Sequence, residues 1–181
     1  MAGSGAGDAR ISVLYSAEAL SARVHELARE IVARMGPRPL IVPILKGSFV
    51  FAADLMRALH DAGAAPDMDF LSLSSYGAGR TSRGEVTILR DTEVPIEGRD
   101  VLIIDDILES GRTLAFARDL MAARHARTIL TCVLLDKPGK LATQLKADFV
   151  GFECPDVFVV GYGMDAAHAF RQLPFVGFVE E

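Results

Sequence analysis

The segment from residue 101 to residue 114 reads V-L-I-I-D-D-I-L-E-S-G-R-T-L, and it constrains the chain more than any other. An apolar run of strand length, Val101 to Ile104, delivers two adjacent carboxylates, and Ser110-Gly111 then opens a helix over Thr113 to Arg124. Paired acids at the end of a buried strand are costly unless something pairs with them. Gly111 lets a ligand come close to the backbone. The N–H groups at the helix start point at an anion, aided by the helix dipole. Ser110 and Thr113 add hydroxyl donors, while Asp105 and Asp106 suit vicinal ribose hydroxyls or a Mg²⁺ ion and its waters. This chemistry fits a sugar phosphate.

The rest of the chain supplies the frame for such a turn. Residues 16–35 read as a helix: Ser16 caps it, Leu20, Val24, Leu27 and Ile31 recur at helical spacing, and Gly36-Pro37 ends it. Leu40 to Leu45 is a strand followed by Lys46-Gly47-Ser48 and a second helix through Leu59. Residues 67–75 and 85–89 make an antiparallel pair around a polar, glycine-rich loop at 75–84. Thr128 to Leu135, Phe149 to Phe152 and Val157 to Val160 complete the strands. Apolar strands alternating with helices predict an α/β domain with a central, mostly parallel sheet. Ligands in such sheets sit beyond the carboxyl ends of the strands. Polar or glycine-rich residues follow the strands ending near Leu45, Ile104, Leu135 and Val160, so one site is expected from four loops.

Composition excludes several classes. With 181 residues, one domain spanning 1–181 is the expectation, with residues 1–10 as a floppy tail. Half the residues are hydrophobic, too many for a disordered chain, yet no apolar run is long enough to span a bilayer. The N-terminus lacks a signal-peptide pattern, so a cytoplasmic location and no membrane partner are expected. A net charge of −5 argues against a nucleic-acid surface. Cys132 and Cys154 read as packing residues, and the four histidines share no useful spacing.

Residues 101–114 resemble the phosphoribosyl-pyrophosphate motif of type I phosphoribosyltransferases. Other segments resemble the hypoxanthine/guanine branch of that family. L-K-G-S-F-V-F-A-A-D-L at 45–55 is similar to its pyrophosphate loop, and S-S-Y-G at 74–77 to the start of its flexible lid. L-L-D-K-P at 134–138 and V-F-V-V-G-Y-G-M-D at 157–165 are similar to its purine-recognition segments, and F-R-Q-L-P at 170–174 completes the order. The resemblance implies a central sheet flanked by helices, a small hood and an antiparallel lid. It implies transfer of the phosphoribosyl group from phosphoribosyl pyrophosphate to a 6-oxopurine with Mg²⁺, in a homodimer or homotetramer. Hypoxanthine is the first expectation and guanine the second; xanthine stays open.

The implied roles fall on particular residues. Ser110, Gly111, Arg112 and Thr113 would hold the 5′-phosphate. Asp105 and Asp106 would hold the ribose hydroxyls directly or through metal-bound water, and Asp165 would lie near a second metal ion and the pyrophosphate. Lys46, Gly47 and Arg171 would face the pyrophosphate, with a cis peptide implied between Leu45 and Lys46. Lys137 would donate to the 6-oxo group, Phe158 would stack on the purine, and the Val159 backbone would read its edge. Ser75 and Tyr76 would lie at the moving edge of the lid.

One position departs from the family pattern. The third acid is usually aspartate, which takes or hydrogen-bonds the purine ring proton, and here it is Glu109. The extra methylene shifts the carboxylate by roughly 1.5 Å, a misplacement of a size that can cost a hundredfold in rate. Three accounts stand at this point: Glu109 folds back and acts as the base, a water relays the proton, or the chain is a nucleotide-binding regulator of the same fold with little catalysis. A phospho-accepting receiver domain also has paired acids after a strand, but on its first strand, and here the pair falls past residue 100.

Overall fold

The computed structural model describes residues 10–75 and 86–180. The tail residues 1–9 and most of the expected lid, Tyr76 included, lie outside the described residues.

The expected α/β layout is present. Strands β1 (Ile11–Tyr15), β2 (Leu40–Leu45), β3 (Asp67–Met68), β4 (Leu71–Ser75), β5 (Val86–Arg90), β6 (Asp100–Leu108), β7 (Thr128–Asp136), β8 (Phe149–Glu153), β9 (Val159–Val160) and β10 (Val176–Val179) are joined by α1 (Ala17–Met35), α2 (Phe49–Asp61) and α3 (Arg112–Ala123). The main sheet has the order β5-β4-β2-β6-β7-β8, with β3 also beside β2. Its pairs are parallel except for β4 with β5.

Alternation along the strands divides the core into two layers. Ile41, Leu102, Ile104, Cys132 and Leu134 pack with the buried faces of α1 and α2. Leu40, Val42, Val101, Ile103 and Val133 point the other way, toward Leu114, Ala117 and Met121 of α3. A sheet covered on both faces has no polar side, which is why its strands read as continuous apolar runs. Helix α1 begins where Ser16 accepts a hydrogen bond from the Ala19 N–H at 3.3 Å. It ends at Gly36, in the left-handed region with φ 78°.

Four expectations need correction. The strand read over 67–75 breaks at Asp69-Phe70, because the Asp69 carboxylate accepts from the N–H groups of Phe70 (2.7 Å), Glu93 (2.6 Å) and Val94 (3.0 Å). Strand β6 does not stop at Ile104 but runs to Leu108, since β7 continues alongside to pair Leu108 with Asp136. Val159–Val160 does not join the main sheet. The link Cys154–Phe158 is too short for the crossover that a parallel neighbour of β8 requires. Instead β9 pairs antiparallel with β10, and β10 with β1, in a small second sheet that forms a hood. Arg10, read as part of the tail, is tied to that hood: its carbonyl accepts from the Glu180 N–H at 3.0 Å. Among the described residues, no helix is long and apolar enough to cross a membrane.

Candidate active site

Three of the four expected loops open on one edge of the main sheet. A cleft of about 280 Å³ there is lined by Lys46 and Gly47 after β2, by Asp105 and Asp106 within β6, and by Glu109, Ser110, Gly111 and Thr113 after it. A larger cavity of about 790 Å³ lies between α1 and α2 and contains none of the expected site residues. Chemistry favours the smaller cleft, which gathers buried carboxylates, a lysine and a helix start.

The turn 110–113 has the conformation that anion binding needs. Gly111 sits at φ 75° as the residue before α3, and a methyl group there would overlap the Thr143 hydroxyl. Both constraints demand glycine. The Ser110 hydroxyl accepts from the Arg112 N–H at 3.4 Å, and the Ser110 carbonyl accepts from the Ala142 N–H at 2.9 Å. After Arg112, the N–H groups of Thr113 and Leu114 precede the hydrogen-bond ladder of α3, which leaves them available to a phosphate. Arg112 is exposed, so what it brings to the turn is its backbone.

Asp105 and Asp106 are held by the backbone that carries them. Asp105 accepts from the Asp106 N–H at 3.0 Å, and Asp106 from the Ile107 N–H at 2.9 Å. Burial, then the neighbouring Asp106 charge, pushes the Asp105 carboxyl well above the usual aspartate range. Burial also raises Asp106, and the Asp105 contact, the Ile107 N–H and the charge of Arg171 offset part of that. Two desolvated acids side by side favour losing only one proton between them. A divalent cation or a pair of hydroxyls would relieve the pair. The donor set fits Mg²⁺, which takes one or two carboxylates together with water and substrate phosphates.

In the Lys46-Gly47 loop, expected to face pyrophosphate, the Leu45–Lys46 peptide bond is cis, as the resemblance implied. Gly47 lies so close to Asp106 that a methyl group on it would overlap the carboxylate. A methyl group on Gly163 would come within 2.6 Å of the Gly47 carbonyl oxygen. Arg171 donates to the Gly163 carbonyl at 2.6 Å and pairs with Asp165 at 2.7 Å. Asp165 also accepts from the His168 N–H at 2.7 Å. The cis loop, Asp106, the 161–171 segment and Arg171 are thus neighbours.

Among the residues expected to meet the purine, Lys137 is 7 % exposed, and its ammonium lies 3.6 Å from Glu109. Lys140 lies 3.4 Å from Glu109 and 2.5 Å from Asp156. That chain ties the base candidate to the segment carrying Phe158 and Val159. Phe158 is 61 % exposed, an aromatic face free to stack, while Val159 is buried and pairs with Phe178. Ser75 ends β4, opposite Val86.

Sequence reasoning missed Lys140, the 141–143 segment leaning on the phosphate turn, and the bond from Tyr162 to Asp54. Of these only Tyr162 had a signal, its place between two glycines of an already suspect motif.

Comparison with known proteins agrees with this geometry. A family model described as "Phosphoribosyl transferase domain" matches residues 11–167. The chain is 45 % identical over 166 residues to the hypoxanthine-guanine phosphoribosyltransferase of Bacillus subtilis, covering 91 % of each. It is 44 % identical over 169 residues to the bifunctional protein TilS/HprT of Listeria innocua, covering 93 % of this chain but spanning only 26 % of that protein's length. The hypoxanthine phosphoribosyltransferase of Trypanosoma cruzi, solved in complex with the product IMP, superimposes with a TM-score of 0.85 at 36 % identity, covering 95 % of each chain.

Proposed function

The chain belongs to the hypoxanthine/guanine branch of the phosphoribosyltransferase family, with its type I fold, and on that premise we propose that it transfers the 5-phosphoribosyl group from phosphoribosyl pyrophosphate to hypoxanthine in purine salvage. The products are inosine monophosphate and pyrophosphate; guanine, giving guanosine monophosphate, is the second substrate of this reading. One catalytic unit spanning the chain, a cytoplasmic location and a homodimer or homotetramer belong to the same proposal.

A purine ring nitrogen attacks the anomeric carbon, the bond from that carbon to the pyrophosphate oxygen breaks, and the nitrogen loses its proton. Positive charge develops on the ribose and negative charge on the leaving group, so rate comes from holding both still in a dry, polar site. The N–H groups and hydroxyls of Ser110 to Thr113 anchor the 5′-phosphate, and Asp105 and Asp106 grasp the ribose diol. Lys46, the backbone of Gly47 and Arg171 meet the pyrophosphate. Asp105 and Asp106 would hold Mg²⁺, and Asp165 would lie near a second metal ion; the metal would supply charge neutralisation on the leaving group. Lys137 donates to the 6-oxo group, and its positive charge disfavours the 6-amino group of adenine. Phe158 stacks on the base, and the Val159 backbone reads its edge. Glu109 takes the ring proton, standing beside Lys137, the residue given to the 6-oxo group.

The observation that carries this reading is the cleft itself, where buried paired aspartates, a left-handed Gly111 at a helix start and the Lys46-Gly47 loop converge. Incubation with hypoxanthine, phosphoribosyl pyrophosphate and Mg²⁺ should yield inosine monophosphate. Tight binding of inosine monophosphate with no turnover would instead identify a nucleotide-binding regulator, the account in which the departure at Glu109 costs the chain its catalysis.

A further inference from the structure

Tyr162 has no part in the chemistry above, yet its environment is unusual. Its ring is 6 % exposed, and its backbone lies in the left-handed region at φ 49°. Its hydroxyl donates to Asp54 in α2 at 2.5 Å. Ala167, His168 and Phe170 are also left-handed, with φ of 48°, 72° and 75°. Residues with a Cβ rarely hold that conformation unless surrounding structure over-determines it.

This segment and α2 meet at the pyrophosphate side of the cleft. Helix α2 starts directly after the Lys46-Gly47-Ser48 loop, and the two are continuous: the Phe49 N–H donates to the Lys46 carbonyl at 3.2 Å and the Ala52 N–H to the Ser48 carbonyl at 2.8 Å. Gly163, next to Tyr162, abuts both the Gly47 carbonyl and Val50, and its own carbonyl accepts from Arg171. A rigid helix therefore joins Asp54 to Gly47, and a short strained loop joins Tyr162 to Arg171. The hydroxyl–carboxylate bond links the two.

We propose that Tyr162 and Asp54 are positioning residues for the pyrophosphate grip, the bond between them fixing the Arg171 loop against the Lys46-Gly47 loop. The proposal rests on the reading that Arg171 and Lys46 face pyrophosphate. Lys137 and the Phe158-Val159 pair, which this reading gives to the purine, take no part in that bond, so its loss should fall on phosphoribosyl pyrophosphate. Burial, then Asp54, pushes the Tyr162 hydroxyl pKa up, which keeps it a donor.

Steady-state kinetics with both substrates varied tests this. Tyr162→Phe, which keeps the ring, should raise KM for phosphoribosyl pyrophosphate about tenfold, as expected for one lost hydrogen bond to a charged group. KM for hypoxanthine should stay within about twofold. Asp54→Leu should match it, the double variant should be no worse than either single one, and Asp54→Asn, which keeps an acceptor oxygen, should recover most of the loss. Arg57→Gln, which removes the other partner of Asp54, should change neither KM. Where Asp54→Leu fails to fold, the pyrophosphate affinity of Tyr162→Phe, measured by calorimetry, gives the same answer. Parallel rises in both KM values, additive single effects or an unchanged Tyr162→Phe would overturn the proposal. Arg171→Gln separates the two layers: if it leaves KM for phosphoribosyl pyrophosphate unchanged, the underlying reading fails, whereas a rise there beside an unchanged Tyr162→Phe removes the positioning role alone.

Discussion

The ammonium of Lys137 lies 3.6 Å from the carboxylate of Glu109, with the lysine side chain 8 % exposed and the glutamate 46 %. A buried ammonium needs a partner, and Glu109 provides it where the family usually has the shorter aspartate. The extra methylene therefore lets the carboxylate reach the residue expected to recognise the 6-oxo group.

Glu109→Gln removes the proton acceptor while keeping the shape. It should lower kcat by roughly 10²- to 10⁴-fold, the usual contribution of a general base, with little change in affinity for phosphoribosyl pyrophosphate. An unchanged kcat would take Glu109 out of the mechanism. Glu109→Asp then asks whether the longer side chain is tolerated or required: a fall in kcat of more than about tenfold means the site is built for glutamate.

Gly47→Ala places a methyl group on the Asp106 carboxylate, so that side chain must move out of its place. We expect kcat/KM for phosphoribosyl pyrophosphate to fall by about a hundredfold or more, because the change displaces both the loop proposed to meet pyrophosphate and a carboxylate proposed to hold the ribose. Near wild-type activity in a correctly folded variant would show that the loop is not part of the site.

The paired aspartates predict a pH dependence of stability. The folded-state pKa of Asp105 is raised above its unfolded value of about 3.9. Its stabilising contribution is complete below that value and is lost as pH rises through the folded value. Asp105→Asn escapes the loss, so without ligand its Tm should gain on wild type as pH rises from about 4 toward 8. Carboxylates of opposite sign are common to both proteins and cancel in the difference: Asp91 beside Arg124 and Asp100 beside Arg127 are lowered. A Tm difference independent of pH would refute the buried pair. Adding phosphoribosyl pyrophosphate with Mg²⁺ should stabilise wild type more than the variant.

Asp69 tests the scaffold apart from the chemistry. Burial works against its charge, but the N–H groups of Val94, Phe70 and Glu93 outweigh that and hold its carboxyl below the usual range. Asp69→Ala leaves those donors without an acceptor and should cost about 3 kcal/mol, lowering Tm by roughly 6–12 °C. The kcat of the folded fraction should not change. A Tm within about 2 °C of wild type would mean that water replaces the carboxylate at little cost.

Much of this molecule is legible in its sequence because the informative patterns are local. The helix over 17–35, the strand Leu40–Leu45 and the turn from Asp105 to Thr113 each rest on residues close along the chain, where periodicity, caps and glycine speak directly. Residues far apart in sequence carry no such mark. Nothing in Ile11 announces Val179 as its partner, and Val159–Val160 reads like any buried strand until the shortness of the link before it sends it to the hood. The length of β6 is likewise set by its neighbour β7. The sequence by itself determined the sheet, the phosphate turn and the set of charged groups available for chemistry. The tertiary structure alone decided that Gly47 would touch Asp106, that Glu109 would reach Lys137 and that Tyr162 would find Asp54, because those distances depend on how whole layers pack, and packing is a property of all the surfaces at once.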